Sequence, residues 1–148
     1  MKLALAFVTA LISSSALACP TLQGTWLCKN SDASSSTSTI QESPIPGGTL
    51  YKLTERSSGK VEEYYADGQS RPVSDNGLSG TLTATCTGVT NVIAKEHLAS
   101  KDQSFIADIN YKITVLNAAN FLVSASVVML QRGQPSQTQS STSTCVRQ

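Results

Sequence analysis

The sequence predicts an all-β protein: a single antiparallel meander of about eight strands that closes into a small barrel and carries two disulfides. Three observations carry this prediction. Apolar and polar residues alternate with a period of two over several runs, short turn signatures separate those runs, and no stretch keeps a helical period. Short turns between consecutive strands make the neighbours antiparallel. About eight strands is the number that closes into a small barrel without exposed edges.

The chain opens on an export signal. Lys2 precedes an apolar run, Leu3 to Ile12, and Ala16-Leu17-Ala18 fits the small-x-small pattern of a signal peptidase site. The run is shorter than the roughly 20 residues a bilayer-spanning helix needs, and no later segment approaches that length. Residues 1–18 therefore read as a removed signal peptide and residues 19–148 as one domain, exported to the periplasm or the extracellular space. A lipid anchor on Cys19 is the alternative. It is disfavoured because Ala16 and Leu17 stand in the reverse of the order a lipoprotein box prefers.

The first strand holds Leu22, Gly24-Thr25-Trp26 and Cys28. The serine- and threonine-rich tract from Ser31 to Thr39 buries little apolar surface and reads as mobile loop or the solvent side of a strand. Pro44, Pro46, Gly47 and Gly48 mark a loop before "TLYKLTER". Ser57-Ser58-Gly59 separates that run from "KVEEYYA", and Asp67-Gly68 is a two-residue hairpin signal.

Beyond the turn at Asp75-Asn76-Gly77 comes "TLTATCTG", with Leu82, Ala84 and Cys86 on one face and threonines on the other. In "FIADINYKITV", Phe105, Ala107, Ile109, Tyr111, Ile113 and Val115 share a face. "FLVSASVVMLQ" places Phe121, Val123, Ala125, Val127 and Met129 in line. The tract Ser136 to Cys145 ends on a cysteine and so is tied down.

Cys19, Cys28, Cys86 and Cys145 are the four cysteines, an even number, all beyond the signal. In an exported chain they make two disulfides. Three pairings exist. A last strand antiparallel to the first brings Cys145 towards Cys19, which leaves Cys28 for Cys86.

Lys2 apart, ten basic side chains face ten acidic ones, without a basic stripe, which argues against nucleic acid and anionic membrane partners. No cysteine pair has zinc-knuckle spacing, so no metal is expected. His97 is the single histidine and has no triad pattern around it. The only near match to a nucleophile motif, "GLSG", is misspaced. Glu62 and Glu63 are adjacent, hence on opposite faces of a strand. No catalytic residue and no cofactor are expected.

An early Gly-x-Trp strand followed by an antiparallel meander resembles the calycins, the group of lipocalins, fatty-acid-binding proteins and avidins. The match is Leu22 with Gly24-Thr25-Trp26. The resemblance implies a lipocalin-like β-barrel domain with Trp26 closing the barrel floor and a cation, Arg147 or Arg132, packed on it. Avidins surround biotin with several tryptophans. Trp26 is alone, so biotin is not implied.

The expected function is a binding module for a small apolar ligand. The candidate cavity lining is Phe105, Ala107, Ile109, Tyr111, Phe121, Val123 and Ala125. The small alanines leave volume, and Tyr111 is a polar handle. The alternatives are a secreted protein-interaction module such as a protease inhibitor, which this chain resembles in outline, and a structural envelope protein with no ligand.

Overall fold

A computed structural model describes residues 18–148. The signal-peptide reading falls on residues 1–17, with Ala18 at the boundary, and lies outside the described residues. The described chain is all-β. It has ten strands: β1 (Gly24–Asn30), β2 (Ser35–Ile45), β3 (Gly48–Glu55), β4 (Val61–Ala66), β5 (Ser70–Asp75), β6 (Leu78–Thr87), β7 (Asn91–Ala99), β8 (Phe105–Asn117), β9 (Asn120–Gln131) and β10 (Gln137–Arg147). They form one sheet in the order β4-β3-β2-β1-β10-β9-β8-β7-β6-β5. Every pairing in it is antiparallel.

Two features correct the expectation. There are ten strands, not about eight, and the sheet curls into a half-barrel without closing. Part of the surplus comes from the Ser31–Thr39 tract. Its second half belongs to β2, held between β1 and β3 by backbone ladders that need no apolar side chain. The closure fails at Asp67-Gly68. That turn does not make a hairpin, because β4 and β5 are the two edges of the sheet. Curling brings β4 against β6, one strand in from the other edge, and the Gly68 N–H donates to the Ala84 carbonyl of β6 at 2.8 Å. By contrast, Asn76-Gly77 turns β5 into β6 with both residues at positive φ, as a tight two-residue hairpin requires.

The strand faces follow the predicted alternation. The register aligns Ala84, Ala94, Tyr111 and Ala125 in one row across β6 to β9, and Cys86, Val92, Ile113 and Val123 in the next. Both rows face the concave side. The core there centres on Trp26, 2% exposed, whose ring meets Phe121 edge-on with centroids 4.6 Å apart. The Arg147 guanidinium stands 4.7 Å from the centre of the Trp26 ring. Arg132 is elsewhere, with Nη2 donating to the Asp102 carbonyl at 3.3 Å. Gly24, at φ 141°, lets the chain bend into β1 beneath that stack.

Both disulfides form, but the pairing differs from the prediction: Cys19 joins Cys86, and Cys28 joins Cys145. The last strand does run antiparallel to the first. Its register puts Cys145 directly opposite Cys28, with Cα atoms 4.0 Å apart. Cys19 precedes β1 by five residues and reaches β6 instead. Two bridges and no free cysteine among the described residues fit an oxidising, exported environment. No helix of the described residues is long and apolar enough to cross a membrane.

Candidate functional site

Residues 18–23 form no strand and lie along the concave side. Three side chains hold them there through four hydrogen bonds. The Tyr51 hydroxyl donates to the Pro20 carbonyl at 2.6 Å, and Trp26 Nε1 donates to the Leu22 carbonyl at 2.7 Å. Glu42 Oε1 accepts the N–H groups of Leu22 and of Gln23, the latter at 2.8 Å. The Cys19–Cys86 bridge pins the outer end. These bonds satisfy backbone groups that an irregular buried segment otherwise leaves unpaired, and they bury Leu22 to 1% exposure.

Between this segment and the sheet lies a cavity of about 240 Å³. One wall is formed by Val92, Ala94, Tyr111, Ile113 and Val123 from β7, β8 and β9. The facing wall is Tyr51, Leu53, Glu62 and Tyr64 from β3 and β4, and Leu22 closes the space from the N-terminal segment. Ala94 is the smallest of the lining side chains and leaves part of this volume. Each lining position other than Leu22 falls on the inward phase of its strand.

Glu62 is the one charged lining residue. Its Oε1 meets Lys60 Nζ at 2.8 Å, and its Oε2 accepts the Tyr64 hydroxyl at 3.0 Å. Burial pushes all three lining tyrosines above the usual phenol range, with nearby carboxylates adding to it. They stay neutral hydrogen-bonding groups at any physiological pH. Glu96, on the concave face of β7 opposite Leu82 and Ile109, is pushed up by burial and then by Asp75 and Glu62.

Of the seven predicted lining residues, the structure brings Tyr111 and Val123 to the cavity. Phe121 faces inward but packs on Trp26. Ala125 flanks Tyr111 across the β8–β9 ladder without lining the space. Ile109, Ala107 and Phe105 sit two, four and six residues before Tyr111 on the same face of β8. At about 3.3 Å per residue, Phe105 lies roughly 20 Å along the strand from Tyr111. Alternation identifies a face; it does not say where along the strand a cavity opens.

Leu22, Tyr51, Leu53, Glu62, Tyr64, Val92, Ala94 and Ile113 were not among the predicted lining residues. The phase of β4, with Glu62 and Tyr64 two apart, was the available signal. Glu63 points to the opposite face, where Lys52 and the Tyr65 hydroxyl meet it. His97 stands on the convex face with Nδ1 2.6 Å from Asp108 Oδ1, both side chains about half exposed.

No family model matches the chain, and no curated protein matches it. A solved structure described as EF1p2_mFAP2b bound to DFHBI is similar at 20% identity, over 86% of this chain and 94% of that one, with a TM-score of 0.39. Superposition that loose leaves the calycin likeness a resemblance, and the other protein's ligand has no bearing on this one.

Proposed function

We propose that this protein is an exported binding module that holds one small, mainly apolar molecule between its N-terminal segment and the curled sheet. The observation that carries the reading is the cavity of about 240 Å³, walled by aliphatic and tyrosine side chains and opening beside Glu62. A dry cavity of about 150 Å³ accepts benzene, so this one suits a fused two-ring molecule or a short aliphatic chain. Apolar walls with a few polar groups are the usual make-up of a small-molecule site.

The reading is of a binder without catalysis. The described histidine–aspartate pair, His97 with Asp108, lies on the face opposite the cavity. An inhibitor of the kind considered from sequence uses a protruding N-terminal segment, whereas residues 18–23 are bonded inward. The carrier reading is favoured on that ground.

The test is a titration of the oxidised protein with naphthalene-2-methanol, followed by its fluorescence. One molecule binds per chain, and Ala94→Phe, which fills the space, weakens binding at least tenfold. Val127→Ala, on the same concave face but away from the cavity, leaves it unchanged. Absence of saturable binding, or indifference to Ala94→Phe in a variant that melts cooperatively, rules the reading out.

A further inference from the structure

The charges around the cavity mouth say which end-group the bound molecule carries. The apolar cavity is the site; the mouth only selects among molecules that fit it. Glu62 stands in the wall, with its side chain 41% exposed and so within reach of a ligand. Glu96 lies on the concave face one rung beyond Ala94 and Tyr111, half-buried, with no ion-pair partner among the described residues. Lys60 is already engaged with Glu62, its Nζ 2.8 Å from Oε1. Two carboxylates, Glu62 and Glu96, therefore stand on this side of the cavity with one ammonium.

Fatty acids and other apolar anions meet a net negative mouth, since Lys60 neutralises only one of the carboxylates. A protonated amine meets the opposite field. It can also accept company from neutral Tyr111, whose ring lines the cavity and whose hydroxyl makes no hydrogen bond to the described side chains. We propose that the cavity takes a small apolar molecule bearing a protonated amine, with its hydrocarbon body against Val92, Ile113 and Val123 and its ammonium between Glu62 and Glu96. This rests on the apolar-ligand reading above and narrows it to one charge class. The partial burial of Glu96 keeps its carboxylate from full solvation, so a cation that reaches it is screened less than at an open surface.

Three ligands of nearly the same shape separate the two readings: 2-naphthylmethylamine, naphthalene-2-methanol and 2-naphthoate, titrated at pH 7 and low salt. The expected order is amine, then alcohol, then carboxylate, with the amine favoured over the alcohol by about tenfold, as a net charge near a low-dielectric wall implies. The ratio of amine to alcohol affinity, measured within the Glu62→Gln/Glu96→Gln variant itself, narrows to within about twofold. Each single variant, Glu62→Gln and Glu96→Gln, retains part of the preference and serves where the double variant does not fold.

If all three ligands bind alike, the amine proposal falls and the apolar cavity stands. Tightest binding of 2-naphthoate overturns the proposal in favour of Lys60 as an anion anchor. If none binds, both readings fall.

Discussion

Asp67 joins the two edge strands through its side chain. Its carboxylate takes both arms of Arg71, Oδ1 from Nη1 at 2.8 Å and Oδ2 from Nη2 at 2.6 Å, and it also accepts the Gln69 N–H at 3.0 Å. Arg71 in turn stacks on Tyr65, 4.3 Å from the ring centre. Hydrogen bonding from Arg71 is the main cause that draws the Asp67 pKa from 3.8 to about 2, against an opposing contribution from burial. A folded-state pKa below the unfolded one stabilises the fold above the unfolded value, and that stability is lost as pH falls through the folded one. Asp67→Asn therefore destabilises by about 1 kcal/mol at pH 7, the scale of a pair partly screened by water. The difference from wild type shrinks between about pH 4 and pH 2, read by urea unfolding at several pH values. A difference that stays constant down to pH 2 contradicts the assignment.

The turn role of Asp67 was legible in the sequence from the Asp-Gly dipeptide; the ion pair was not. Arg71 is four residues on, past the turn, and no local pattern joins them. The same limit hid the mouth of the cavity. Glu62 and Glu96 sit on inward phases of their strands, and a charged residue on an apolar phase reads as a break in the pattern until the facing strand is known.

At the scale of the element, the N-terminal segment is the least regular part of the described chain and the one that shapes the site. Its bridge to Cys86 closes a separation of 67 residues, and the Cys28–Cys145 bridge closes one of 117. Loop-closure entropy assigns them similar values, about 4 to 5 kcal/mol each, since the dependence on loop length is logarithmic. Their local effects differ. Cys28→Ala/Cys145→Ala lowers global stability and leaves naphthalene-2-methanol binding intact at a temperature where the variant is folded. Cys19→Ser/Cys86→Ser also releases Leu22 from the cavity wall, so binding falls about tenfold and the Leu22 and Gln23 amides exchange hydrogen faster. Equal losses of binding in the two variants would show that the segment is held without the bridge.

Cysteine number and compartment were readable from composition, and the antiparallel relation of β1 and β10 followed from the meander. The pairing depended on register, which a stretch of alternating serine and threonine does not specify. In β10, Ser140 to Thr144 offers nearly the same side chains to either face. A shift of the closing ladder leaves the pattern equally good, yet it decides whether Cys145 meets Cys19 or Cys28.

For the molecule as a whole, alternation and turn spacing were enough for an all-β antiparallel meander, and the concave faces of β6, β8 and β9 are those read from sequence. Closure was not readable. Whether β4 and β5 pair or separate depends on the summed curl of ten strands, and Asp67-Gly68 fits either outcome. The result is a half-barrel whose edge strand β4 lies against β6 without joining its ladder. Pro72 in β5 removes one edge donor, which limits pairing with another chain.

The curl also leaves the concave surface with two parts. One is the cavity under Leu22. The other is the run of Phe105, Ile109, Val127 and Met129 on the longer ends of β8 and β9, partly exposed. The central claim is that the first part holds the ligand. Intermolecular NOEs from bound naphthalene-2-methanol to assigned methyl groups distinguish them directly. The structure predicts contacts to Val92, Ala94, Ile113 and Val123, with none to Val127 or Met129. Contacts confined to Ile109, Val127 and Met129, or no intermolecular contacts from a saturated sample, would contradict it.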